Sequence, residues 1–371
     1  MSSAVQFVDP RHNLVYTEYV ERGVNRSFGS GGSSAVDYSV NEENLAVQPF
    51  VCFQNEFLDT IVGANPSLKV LTSSDEVVAS TKRGDLAFAH EAGVWFSERR
   101  EVFFTSNQLS DKGVVIFKYH IDTGSVTRVC PKPDIPAANG ACRYKDQLLV
   151  CCQGNDSSPS GLVLLDPATE VSTPLINNFM DRPFNSPNDV IVLPLDGSIW
   201  FTDPDYGIEQ GLKSLSLLPN QVYCLQPDTG DVRVVANELK KPNGICFSPD
   251  NHYCYITDTE TYLGTGGTDP RCSATIYEYE VVSRHGSYIL LNKRVFAFAD
   301  TGAPDGIKCD VAGNVYAGCS DGIHIWNPAG ILVGKILVPG GIANFCFIEP
   351  NRLFLLNETR LITATLAGSL F

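Results

Sequence analysis

The sequence predicts an all-β chain wound into a six-bladed β-propeller with a central metal site. Three observations point there. One short pattern recurs six times, a fixed gap inside each copy contrasts with a varying gap between copies, and helical periodicity is nearly absent. The pattern begins with Asn, Asp or Glu as a head. A small or polar residue and an apolar run follow, then a turn, then a second apolar run ending in small polar residues.

The clearest copy is Ser186-Pro187-Asn188-Asp189-Val190-Ile191-Val192, with the turn Asp196-Gly197 and the run Ser198-Ile199-Trp200-Phe201-Thr202-Asp203. A second runs from Lys241-Pro242-Asn243-Gly244 to Thr257-Asp258, and a third from Ala303-Pro304-Asp305-Gly306 to Gly318. Weaker copies start at Glu91, Asn139 and Asn344. Successive heads lie 48, 49, 55, 62 and 39 residues apart, yet each is only 13 or 14 residues from the small residue closing its strand. A constant inner hairpin with insertions confined to outer loops gives that combination. Further strands rich in Val, Ile, Tyr and Phe fill the intervals, about four strands per repeat, which is the footprint of a propeller blade. A β-sandwich with coincidental turns would not repeat one gap six times.

Residues 1–85 read as an N-terminal extension and residues 86–371 as the propeller, together one domain. Within the extension, 29–34 is all Gly and Ser and reads as a loop. Leu14 to Val20 reads as a strand able to close the ring, and Asn55 to Val62 as a short helix. Closure matters because an open ring leaves unpaired sheet edges.

The chain has 371 residues and a formal net charge of -15. That charge disfavours nucleic acid and anionic membranes as partners. Twelve cysteines fall at irregular spacings, mostly in apolar runs and without a C-x2-C pair, so they read as buried thiols rather than a zinc site. Three N-x-S/T sequons, at Asn25, Asn155 and Asn357, are expected chance matches. The first residues lack a basic and then apolar leader, and no apolar run reaches 18 residues, so a cytoplasmic location is the expectation.

In a propeller the innermost strands surround a channel, so equivalent positions of the repeats converge on one axis. Those positions hold Glu91, Asn139, Asn188, Asn243, Asp305 and Asn344. Each offers a side-chain oxygen, and none is Lys, Arg, Cys or His. A ring of hard oxygens suits Ca2+, or another hard divalent ion, better than zinc or copper. The competing reading is that Asn-Gly and Asp-Gly are there only as turn formers.

Several of these segments, in order, resemble the gluconolactonase/regucalcin (senescence marker protein) family, its fungal-type lactonase branch in particular. They are His90-Glu91-Ala92-Gly93-Val94-Trp95, Ser186-Pro187-Asn188-Asp189-Val190 with 196–207, Lys241-Pro242-Asn243-Gly244, Pro304-Asp305-Gly306-Ile307-Lys308 and 313–318. The resemblance covers roughly 85–371. It implies a hydrolase that opens a lactone or related ester, with one divalent ion held by Glu91, Asn188, Asn243 and Asp305. It further implies that the ion is the Lewis acid and that Asp305 is the candidate catalytic base, nucleophile or ligand. Asn139, Ser186, Asn344 and His90 are expected to line the channel or meet substrate. Ser186 departs from the animal gluconolactonases, whose Arg at this position touches the sugar lactone, so gluconolactone itself is not the expected substrate. The alternatives are another reaction on the same scaffold, such as aryl ester or phosphotriester hydrolysis or a secondary-metabolite transformation, and a non-enzymatic calcium-binding scaffold.

Overall fold

The computed structural model describes residues 4–8, 39–73, 87–109, 113–263 and 267–371. These form a six-bladed β-propeller, in which six sheets of four or more antiparallel-paired strands surround a channel. Blade one is built from Glu91–Phe96, Glu101–Thr105, Ile116–His120 and Ser125–Arg128. Blade two runs from Ala138–Tyr144 to Ser172–Ile176, blade three from Val190–Val192 to Asp231–Ala236, and blade four from Pro242–Phe247 to Ser287–Phe298. Each inner strand packs beside that of the next blade, and blade six returns to blade one.

The ring draws on the N-terminal stretch in two places. Ser67–Ser73 pairs with Arg360–Thr365 as the outer strand of blade six. Phe50–Cys52 adds antiparallel to the Leu332–Leu337 edge of blade five, and Val5–Phe7 adds to it in parallel. Both edges are thereby covered by chain from before residue 74. The expected strand at Leu14 to Val20 and the loop at 29–34 lie outside the described residues. The helical stretch is a single wide turn, Phe57–Val62. It drives the buried Phe57 ring onto Gly334, where a Cβ would sit 2.4 Å from the ring.

The fixed gap inside each repeat has a physical cause. The Thr that closes the second strand of one blade donates its hydroxyl to the head carbonyl of the next. Thr105 Oγ1 reaches Asn139 O at 3.3 Å, Thr202 Oγ1 reaches Asn243 O at 2.7 Å, and Thr257 Oγ1 reaches Asp305 O at 2.9 Å. The residue after the head has a cause too. A Cβ on Gly140 would lie 2.4 Å from Asn188 O, one on Gly244 2.3 Å from Asp305 O, and one on Gly306 2.5 Å from the Asn344 side chain. None of the three has a left-handed backbone. These glycines therefore serve the close approach of neighbouring blades, and the turn-former reading of Asn-Gly and Asp-Gly does not account for them.

All twelve cysteines are free, and Cys246 and Cys309 face each other at 3.6 Å between blades four and five. Among the described residues, no helix is long and apolar enough to cross a membrane.

Candidate functional site

The heads reach the channel because the ladder slips beside them. The register of the inner hairpin shifts between Ala92 and Val94, between Ala138 and Ala141, and between Pro242 and Ile245. A bulge of this kind re-aims a side chain that would otherwise follow the pleat. In blades three and five the ladder starts two residues after the head, at Val190 and Ile307. The segment leading into the head is pinned from its own blade. Asp203 accepts the backbone N–H groups of Asn185 and Ser186, and Asp258 those of Lys240 and Lys241. In both blades these are the residues three and two before the head. Burial pushes the Asp203 carboxyl up to about 7, although those two N–H groups oppose the shift.

Glu91, Asn139, Asn188, Asn243 and Asp305 converge on one cavity of about 300 Å³ at the mouth of the channel, with His90 on its wall. Asn344 stands behind them, fully buried, and donates its Nδ2 to Glu91 Oε2 at 2.7 Å. The side-chain oxygens of the six heads fall into two groups. Those of Asn139 and Asn344 are already taken, each accepting the N–H of the following residue, at 2.9 and 2.7 Å. In contrast, Asn188 Oδ1 and Asp305 Oδ1 are buried without any hydrogen-bond partner. Asn243 turns its amide nitrogen to the Tyr206 hydroxyl, 3.5 Å away, so its oxygen is the end free for the cavity.

The electrostatics are those of crowded buried carboxylates with one imidazole beside them. Burial, and then repulsion from Glu91, pushes the Asp305 carboxyl well above the ordinary range. Burial likewise raises Glu91, against the nearby His90 charge, and Asp189, against the more distant Lys308. His90 Nδ1 lies 2.6 Å from Glu358 Oε1. Burial alone would lower the imidazole, but the Glu358 carboxylate overrides it and the value rises to about 10. Buried oxygens with no partner are costly and rare in native proteins. Two of them beside repelling carboxylates, all oxygen donors, fit a hard divalent ion.

Ser186 is a correction. It is fully buried and is not among the side chains lining the cavity. Its hydroxyl donates to Pro204 O at 2.7 Å and accepts from Gly207 N at 2.8 Å, so it braces the short helix Tyr206–Glu209. That helix carries the cavity residue that the sequence reading left unassigned, Tyr206. Tyr262, Ser320 and Glu358 also line the cavity and were not singled out. One signal was available for Glu358. It follows the residue that closes the second strand of its blade, as Asp203 and Asp258 do in theirs.

A second carboxylate cluster lies on blade five. Asp300, Asp321 and His324 bring their ligand atoms within 4.8 Å of one another, as a metal site would. The chain supplies the cation itself, because the ammonium of the fully buried Lys335 stands 2.6 Å from Asp300 and 3.2 Å from Asp321.

Comparison with known proteins agrees with this architecture. A lactonohydrolase of Aspergillus oryzae, oryL, is 28% identical over 94% of this chain and 81% of its own length. A gluconolactonase of Zymomonas mobilis is 30% identical, over 55% of this chain and 56% of its own. Among solved structures, the gluconolactonase XC5397 of Xanthomonas campestris superposes with a TM-score of 0.69 at 24% identity, over 90% of this chain and 98% of its own. Regucalcin of Agrobacterium tumefaciens, described as a calcium-binding protein, superposes at 0.60 with 19% identity, over 82% of this chain and 95% of its own. The SMP-30/Gluconolactonase/LRE-like region model matches residues 89–357. The chain therefore belongs to the SMP-30/gluconolactonase/LRE-like family.

Proposed function

We propose that this protein is a metal-dependent lactonase, with Glu91, Asn188, Asn243 and Asp305 holding one divalent ion, calcium by the chemistry of the donors. The observation that carries the reading is the pair of unpartnered buried oxygens, Asn188 Oδ1 and Asp305 Oδ1, in a cavity whose carboxylates repel one another. The lactonohydrolase and gluconolactonase relatives support the substrate class, and the all-oxygen donor set supports a hard ion.

In the reaction a water oxygen adds to the lactone carbonyl carbon, the ring C–O bond breaks, and the released alkoxide takes a proton to give a hydroxy acid. A bound ion supplies Lewis acidity at the carbonyl and charge to oppose the developing oxyanion. The protein does the rest by position. Asn188 and Asn243 would hold the ion through neutral oxygens, which would leave it electrophilic. Asp305 would orient the attacking water rather than deprotonate it, because a carboxylate beside a cation has reduced basicity. Glu358 fixes the His90 imidazole through Nδ1, which leaves Nε2 as the ring's other polar atom at the wall. Asn139 and Asn344 hold the ring's backbone and the Glu91 carboxylate. The free cysteines fit a reducing compartment and support a cytoplasmic setting.

The test is hydrolysis of a lactone panel with and without a chelator. Asp305→Asn and Glu91→Gln are each expected to lower the rate about a thousandfold, the upper end for removing one electrostatic element of a site. Full activity in both variants after chelation would reject the mechanism.

A further inference from the structure

The walls of the cavity beyond the oxygen ring say what kind of lactone fits. A polyhydroxylated lactone needs a hydrogen-bond partner for nearly every hydroxyl it buries. Among the described residues, no Arg or Lys lines the cavity. The polar groups that do line it beyond the ring are mostly committed elsewhere. The Tyr206 hydroxyl bonds Thr259 Oγ1 and accepts from Asn243. The Tyr262 hydroxyl shares a hydrogen bond with Ser320 Oγ at 2.7 Å and accepts the Ala303 N–H at 3.2 Å. Each phenol thus has two partners before any substrate arrives. What the two tyrosines present to the cavity is largely ring. Ala303, Ile342 and Ala343 continue that surface with carbon. Gln210, exposed at the rim, has an amide free for a ligand, and His90 keeps its Nε2 at the wall as a further polar atom.

The mounting of this wall is rigid. Lys241 Nζ ties Glu209, at 2.8 Å, to the Tyr262 carbonyl, at 2.6 Å, and so joins the two tyrosine-bearing segments. Lys213 anchors the chain after the helix, donating to Ser160 Oγ at 2.6 Å and Phe184 O at 2.9 Å. Ser186 braces the helix from below. The phenols are therefore not free to swing out and offer their hydroxyls.

We infer that the site takes a lactone with an apolar substituent, an alkyl or aryl chain, in preference to a sugar lactone, and that the Tyr206–Tyr262–Ile342–Ala343 wall sets this preference. The inference rests on the lactonase reading. The carbonyl end of the substrate meets the oxygen ring, and the substituent lies on carbon. Each hydroxyl of a sugar lactone left unpaired against that wall lowers kcat/KM about tenfold.

The experiment compares two six-membered lactones, δ-decalactone and D-glucono-1,5-lactone, by acid release from the calcium-loaded full chain. The expected kcat/KM is at least about tenfold higher for δ-decalactone. Ala343 is half-buried, so Ala343→Gln can place an amide in the cavity without disturbing the core, and it should narrow that ratio. Preference for the glucono-lactone overturns the substrate inference and leaves the lactonase reading intact. Loss of glucono-lactone turnover alone in Tyr262→Phe also overturns it, by showing that the phenol serves substrate hydroxyls. Turnover of neither lactone removes both readings together.

Discussion

On blade five, Asp300, Asp321 and His324 converge and the ammonium of a buried lysine sits among them; in the channel, Glu91 and Asp305 converge with the His90 imidazole on the wall, and among the described residues no ammonium or guanidinium lines their cavity. The consequences run in opposite directions. Burial alone would raise the Asp321 carboxyl, but His324 and Lys335 overcome it and hold the group far below the ordinary range. Asp300 is lowered for the same reason. Glu91 and Asp305 are raised, by burial and, for Asp305, by Glu91. The same residue types are thus held low in one place and pushed up in the other.

One effect that could break this contrast lies in the channel. Asp305→Asn removes one of two repelling buried carboxylates, so the metal-free variant should melt no lower than the metal-free wild type. Calcium should no longer raise its melting temperature, whereas wild type at a hundredfold excess over Kd should gain about 2.7 kcal/mol. A variant that melts well below wild type without metal would show Asp305 to be a structural group like Asp321. On blade five the opposite outcome is expected. Lys335→Met strips the buried Asp321 of its ammonium partner and should cost about 3–5 kcal/mol in urea unfolding. It should leave calcium affinity unchanged.

The pH dependence sharpens the same point. Asp300 and Asp321 have folded values below the unfolded one, so their contribution is complete above about pH 4 and is lost as pH falls through the folded values. Lys335 is raised, so its contribution is complete below the unfolded lysine value of about 10.4 and is lost only as pH rises past it. Below about pH 4 the urea midpoint should therefore drop as the carboxylates of this network take up protons. The acid drop should be smaller in an Asp321→Asn, Lys335→Met double variant. A wild-type midpoint that is flat down to pH 2 would remove the network from the stability account.

The smallest expected effect concerns the clamp between blades. Thr202→Val removes the hydroxyl that donates to Asn243 O and accepts from Asp189 N. A cost of about 1–2 kcal/mol follows from the buried groups left unpaired. The neighbouring head stands on this clamp, so calcium affinity should weaken along with stability. Unchanged affinity would mean that the heads hold their places without it.

Much of the fold was legible because the repeat is physical. The gap of 13 or 14 residues is the distance along an inner hairpin from a head to the residue that touches the next head. Convergence of the heads followed from that alone. The family resemblance singled out four of the six; the side-chain oxygens of the other two, Asn139 and Asn344, each accept the N–H of the following residue. The walls were not legible. Tyr206 and Tyr262 come from insertions outside the inner hairpins, where the repeat imposes no register. Glu358 meets His90 across 268 residues, at the seam where the last blade meets the first. Ser186 was misread because sequence places it beside a head but does not reveal that its side chain turns into the protein to hold Gly207. The strand expected at 14–20 lies outside the described residues, and the outer strand of blade six is Ser67–Ser73.

The most direct test is the rate of δ-decalactone and D-glucono-1,5-lactone hydrolysis by chelator-stripped protein as calcium is added back. The account expects no turnover at the start, a saturable rise with calcium, and no rise in Asp305→Asn. Full turnover by the stripped protein, or equal recovery in Asp305→Asn, would contradict it.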